Sequence, residues 1–205
     1  MRRRKNMPSY YEKHKDHLMK KVKEVSPESF KAFLKFEREI FRPGALTKKE
    51  KELIAVAIAH VIKCPYCIDV HTKKAKFSGA SMKELAEAVF VVSAMEAGAA
   101  AQYSSYFNRE KSSHQEHHSK PFEAYADFVR AVMEEGSLTE EFKTLLALTV
   151  SYVIQCPQLI NFHTKRSKDL GVSGERIEEA IFVAAALKAG GAYAHLIHLY
   201  ESYFE

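Results

Sequence analysis

Glycine and proline are scarce in this chain. They number 8 and 6 among 205 residues, so 8 + 6 = 14, about 7% against roughly 12% in average usage. Turn residues this sparse exclude an all-β chain and a disordered one, and they predict long uninterrupted helices. Uncharged apolar runs of membrane length are missing too. The two longest, near 89–101 and 181–194, are broken by Glu96 and Lys188 and are rich in alanine, which fits tightly packed core helices better than lipid. Net positive charge is nearly absent from the body of the chain. The formal net charge is +5, but Arg2, Arg3, Arg4 and Lys5 supply four of it, leaving +5 − 4 = +1 elsewhere. Nucleic-acid binding needs a basic face on the folded body, so neither nucleic acid nor membrane is an expected partner. No apolar segment follows the basic run, so it does not read as a secretion signal, and the expected location is the cytoplasm. Cysteine is limited to three residues, an odd number and too few for a disulfide scaffold.

What is present is a balanced globular composition, 46% hydrophobic and 28% charged, in a chain long enough to bury a substantial core. The chain is also a tandem repeat. Shifted by 155 − 63 = 92 residues, KCPYCIDVHTKKAKFSGAS falls on QCPQLINFHTKRSKDLGVS. Phe30, Ala32, Phe36, Arg38 and Gly44 meet Phe122, Ala124, Phe128, Arg130 and Gly136, and Ala97-Gly98 meets Ala189-Gly190. About 29 of 76 aligned positions are identical without a gap, which marks a duplication. The predicted organisation is a basic tail and N-terminal helix over 1–25, repeat one over 26–107, a polar linker over 108–119, and a degenerate repeat two over 120–205.

Helix starts are written into both repeats. Ser26-Pro27 reads as an N-cap followed by proline at the first helical position. Thr47 with Glu50 and Ser81 with Glu84 are capping boxes, and Thr139 and Ser173 hold the equivalent places. Residues 53–62 are apolar all round except for His60, which predicts a helix at the centre of the core. Cys64 precedes Pro65, so the chain breaks at Cys64 and a new helix opens at Pro65. Residues 9–25 predict an extra amphipathic helix. In the linker His114, His117 and His118 read as a solvated loop rather than a metal grip, and His195 and His198 as surface or interface residues.

Chemistry is concentrated at Cys64 and Cys67. Cys67 and His71 lie four residues apart on one helical face, and Cys64 sits at a helix start, where backbone N–H groups favour an anion. Both placements favour the thiolate, which is the nucleophile. An ordinary thiol near pKa 8.5 is roughly 3% thiolate at pH 7, whereas one near 6 is about 90%. A second cysteine can condense with a sulfenic acid on the first and protect it from over-oxidation. Three readings remain open on spacing: a redox pair, a zinc site with His60 or Asp69 as fourth ligand, and a cysteine pair packed in the core.

The set Glu52, Cys64, Cys67 and His71, followed by the helix start at Gly79-Ala-Ser, resembles the carboxymuconolactone decarboxylase superfamily. Within it the match is to the alkylhydroperoxidase D branch, with its pattern Glu-x11-Cys-x-x-Cys-x-x-x-His. The resemblance implies an all-α fold of two such helical units related by a pseudo-twofold, with no cofactor and no metal. It implies a thiol-dependent peroxidase in which Cys67 attacks the hydroperoxide and Cys64 resolves the intermediate. His71 would then be the base and Glu52 the distal member of a proton relay, with an external dithiol, thioredoxin-like or lipoyl, closing the cycle. Family rings contain six units, so a two-unit chain is expected to be a homotrimer. The alternatives are a decarboxylase-type lyase on a small cyclic carboxylate and a non-catalytic metal-binding or assembly module. Two departures stand out. Tyr66 occupies a position held by histidine in the prototype, and the motif lies in the N-terminal half. Tyr66 and His60 are the further residues expected beside the site. Repeat two has Thr144 for Glu52 and Leu159 for Cys67, keeps Cys156 and His163, and reads as a structural half lining the site. Counted along antiparallel helices, Glu52 falls about 8 Å out of register with His71, a gap for a water or a helix crossing to bridge.

Overall fold

The structure is a computed structural model that describes residues 16–103 and 119–204. It is all-α, with ten helices and no strand among the described residues. In chain order these are α1 (Asp16–Val25), α2 (Pro27–Ile40), α3 (Lys48–Val61), α4 (Pro65–Phe77), α5 (Met82–Ala101), α6 (Lys120–Met133), α7 (Glu140–Val153), α8 (Pro157–Asp169), α9 (Gly174–Ala194) and α10 (Leu196–Phe204). Helices α2–α5 belong to repeat one and α6–α10 to repeat two, and α1 packs against α10. The linker histidines, the basic tail and 9–15 of the expected N-terminal helix lie outside the described residues.

Local chemistry explains the helix starts. Thr47 and Ser81 complete their capping boxes, and Thr139 and Ser173 accept from Phe142 N–H and Arg176 N–H. Ser26 is a correction: it precedes Pro27 as expected, but its hydroxyl makes no cap bond. Its ψ of 69° departs from the extended geometry of a capping residue, because α1 runs up to Val25 with no room for an approach segment.

The break between α3 and α4 is a Schellman turn. Cys64 N–H donates to Ala59 O at 3.1 Å and Lys63 N–H to His60 O at 3.2 Å. Such turns need a left-handed residue. Lys63 adopts φ 53° and Gln155, its counterpart, φ 55°, where glycine would carry no strain. Pro65 and Pro157 then open α4 and α8.

Helices α3 and α7 form the centre, packing on one another and on α5 and α9. Leu53, Ile54, Ile58, Leu145 and Leu146 are wholly buried there. The span Gly174–Phe204 is long and apolar enough to cross a bilayer by length and composition. In this fold it is α9 and α10, and α9 buries Ala180, Val183, Ala184 and Leu187 in the core.

Two reciprocal clasps lock the repeats together. Glu179 of repeat two accepts from Ala45 N–H (3.0 Å) and Leu46 N–H (2.9 Å) of repeat one and pairs with buried Lys51 at 3.0 Å. Glu87 of repeat one accepts from Ser137 N–H (2.9 Å) and Leu138 N–H (3.0 Å) of repeat two and pairs with buried Lys143 at 3.1 Å. Each lysine also donates to two carbonyls of its own repeat. Gly44 and Gly136 lie against the carboxylates: a Cβ at either would fall 2.0 Å or 2.8 Å from a carboxylate oxygen.

Candidate active site

The site is assembled where α3 packs against α4. Cys64 is the N-cap of α4, and its Sγ accepts from Cys67 N–H at 3.2 Å. A negative sulfur is favoured there by the same backbone donors that would bind any anion at a helix start. One turn further along α4, His71 Nδ1 lies 2.8 Å from Glu52 Oε2. A carboxylate can only accept in this contact, so the hydrogen sits on Nδ1 and Nε2 is left as the basic nitrogen. The register gap expected from the sequence is closed by direct contact between side chains on the second turns of α3 and α4. Phe41 stacks on the imidazole with ring centroids 5.4 Å apart, so the ring is held on a second side.

Cys64 and Cys67 are joined as a disulfide, with Cα atoms 5.3 Å apart. All four residues are buried, but unequally: Glu52 and Cys64 are 1% exposed, Cys67 and His71 7%. Of the two sulfurs, Cys67 has the better access from outside.

Tyr66 is partly exposed on the first turn of α4, and repeat two reaches it. Its hydroxyl lies 3.3 Å from His198 Nε2 on α10, and His198 Nδ1 lies 3.5 Å from Glu201 Oε2. The ring of Tyr66 also meets His195 edge-on, with centroids 5.7 Å apart. A Cβ placed on Gly191 of α9 would stand 3.9 Å from Cys64 Cβ. The end of α9 therefore borders the disulfide, and the start of α10 meets Tyr66. The sequence reads His195 and His198 as surface or interface residues and does not single out Glu201. The available signal was their lack of counterparts: the repeat-one positions 92 residues earlier hold Tyr103 and Tyr106.

The structure does not bring His60 to the disulfide. Its Nδ1 donates to Val56 O at 2.8 Å within α3. It lines an apolar groove of about 410 Å³ with Ile68, Met82 and Phe90. Asp69 pairs with Lys73 at 2.6 Å. Among the described residues no group of three or more His, Cys, Asp and Glu side chains is arranged as a metal set.

The equivalent place in repeat two has the same backbone and different chemistry. Cys156 caps α8 with φ −99° and ψ 100°, against −93° and 101° at Cys64. Its thiol is free and buried, and accepts from Gln102 Nε2 at 3.1 Å. Thr144 replaces the glutamate, so His163 is buried with its Nδ1 unpartnered. Burial alone pulls the imidazole down to about 4, and it stays neutral near pH 7.

Fold and site together define a class: all-helical proteins of two duplicated units, with a CxxC, a histidine and a glutamate gathered in one of them. The model of the carboxymuconolactone decarboxylase family matches residues 27–106 and again 120–201, and the chain belongs to that family. A crystal structure assigned as a gamma-carboxymuconolactone decarboxylase subunit from Burkholderia xenovorans superposes with a TM-score of 0.69, covering 91% of this chain and 90% of that one. At 17% identity this likeness is one of fold. "Uncharacterized protein 4 in cox locus" of Paracoccus denitrificans is 49% identical over 69 residues, 34% of this chain. The chain spans 62% of the length of that curated relative.

Proposed function

We propose that the protein is a thiol-dependent peroxidase that reduces hydroperoxides through a dithiol–disulfide cycle at Cys64 and Cys67. The observation that carries this reading is the buried Glu52–His71 pair one helical turn from the more accessible sulfur of a CxxC. The Cys67 thiolate attacks the distal oxygen of ROOH. The O–O bond breaks, Cys67 becomes a sulfenic acid, and RO⁻ leaves as ROH once protonated. Cys64 then attacks the sulfenic sulfur, expelling water and closing the disulfide. A cytoplasmic dithiol, of thioredoxin or lipoyl type, takes over the disulfide and restores both thiols. His71 accepts the Cys67 proton on Nε2, and Glu52 holds the imidazole in that tautomer.

Cys67→Ser is expected to abolish turnover. Cys64→Ser should permit one oxidation per chain and accumulate a sulfenic acid that dimedone traps. Turnover retained in Cys67→Ser would refute the assignment. The fold shared with a decarboxylase subunit favours a second reading, a lyase acting on a small cyclic carboxylate. That activity would survive alkylation of both thiols.

Assembly as a homotrimer belongs to the same proposal. Phe77, Met82 and Phe90 on one repeat and Phe162 and Phe182 on the other are exposed, apolar side chains that contacts between subunits would cover. Sedimentation at micromolar concentration tests this, and a monomer would refute it.

A further inference from the structure

We propose that the C-terminal helix of repeat two completes the thiol site, with Tyr66 as proton donor to the departing alkoxide and His198, backed by Glu201, as the positioning residue that holds and recharges it. The inference rests on the peroxidase reading and adds a donor that the buried pair does not supply.

Attack at the distal oxygen is an in-line displacement. Sulfur, distal oxygen and leaving oxygen lie in a row, so the leaving oxygen points away from Cys67. The protein interior lies behind Cys67, where Glu52, 1% exposed, pairs with His71. The leaving oxygen therefore points outward to the mouth of the site, and a group that protonates it belongs there. Polar groups next to Cys67 in the chain are supplied by the Tyr66 cluster. Tyr66 is next to Cys67 in sequence, on the same first turn of α4, and partly exposed. His195 packs edge-on against its ring, and the 3.3 Å contact with His198 Nε2 fixes its hydroxyl. Glu201 Oε2 lies 3.5 Å from Nδ1 of the same imidazole, and His195 lies beside it with ring centroids 5.6 Å apart.

The proton count closes. Cys67–S⁻ and ROOH give Cys67–SOH and RO⁻, sulfur losing two electrons to the O–O bond. RO⁻ takes the Tyr66 proton and becomes ROH. The tyrosinate regains its proton from water at the mouth, passed through the His198 Nε2 contact. Tyr66 thus stands where the prototype carries histidine, and the imidazole is returned to the site by the other repeat.

The test compares leaving groups. Reduced wild type, Tyr66→Phe, His198→Gln and His198→Ala are mixed with tert-butyl hydroperoxide, with peracetic acid and with diamide, following loss of thiols. An alkoxide needs a proton to leave, acetate does not, and diamide oxidation releases neither. Tyr66→Phe is expected to slow the alkyl hydroperoxide by about 100-fold, the scale of general acid catalysis. Peracetic acid and diamide should change by less than about threefold. His198→Ala should show the same selective loss, and His198→Gln, which keeps a hydrogen-bonding group, a smaller one. Equal slowing of all three oxidants, or unchanged rates with tert-butyl hydroperoxide, would overturn the proposal while leaving the peroxidase reading intact. A wild type that reacts with diamide and with neither peroxide would overturn both.

Discussion

Removing one clasp carboxylate should expose how strongly the two repeats are held together. Glu87→Gln replaces a charge that accepts from Ser137 N–H and Leu138 N–H and faces Lys143, a lysine only 3% exposed. Burial raises the Glu87 carboxyl pKa, but the two amides and the ammonium outweigh it and hold the group at about 2, against an ordinary 4.5. Because the folded value is depressed, the stabilisation is fully present above about 4.5 and is lost as pH falls toward about 2. A shift of that size corresponds to about 3 kcal/mol before screening, and partial solvent access at the repeat boundary reduces it to about 2 kcal/mol. For a chain of this length that is a fall in Tm of about 4–8 °C. Urea unfolding of wild type and Glu87→Gln at pH 7 and pH 3.5 reads the effect directly. The gap in stability should be largest at pH 7 and shrink at pH 3.5. A gap below about 0.5 kcal/mol at pH 7, the scale of an ordinary surface substitution, or one unchanged by pH, would refute the electrostatic origin of the clasp.

Glu52→Gln keeps the shape of the buried pair and removes its charge, and should lower the peroxide rate about 10-fold to 100-fold with little change in the rate with diamide. Equal loss with both oxidants would mean that Glu52 only supports packing. Leu159→Cys should form a disulfide with Cys156 on mild oxidation, read as a further loss of about 2 Da, because the backbone at Cys156 matches that at Cys64. Free thiols in that variant would show that the two turns are not equivalent. His163 is neutral in the fold with its pKa lowered to about 4 by burial, so stability present above about 6.5 is lost as pH falls toward 4. His163→Leu should flatten that decline in urea midpoints between pH 7 and pH 5, and an unchanged decline would place the acid sensitivity elsewhere.

Much of the architecture is written in short segments. Thr47 with Glu50, Ser81 with Glu84, and proline after each N-terminal cysteine mark helix starts by chemistry that acts within four residues, and the structure follows them. Ser26 shows where that logic ends, since the preceding helix denies it the cap geometry. The duplication makes Gly44 and Gly136 visible as a matched pair but gives no reason for them. The reason is a carboxylate from the opposite repeat, more than a hundred residues away for Gly44. The Glu52–His71 contact is of the same kind. Spacing along the chain measures distance on ideal antiparallel helices, and the packing of α3 on α4 closes a gap that spacing leaves open. His198 was illegible for a different reason. Nothing in the sequence near residues 195–201 reports that α10 starts against Tyr66, because that placement is set by the packing of whole repeats.

The most direct measurement on the peroxidase reading is intact mass under non-reducing conditions, before and after one equivalent of an organic hydroperoxide is added to the fully reduced protein. The expected result is a loss of about 2 Da per chain, mapped to Cys64–Cys67 and reversed by a dithiol. Unchanged mass, with both thiols still open to alkylation, would contradict it.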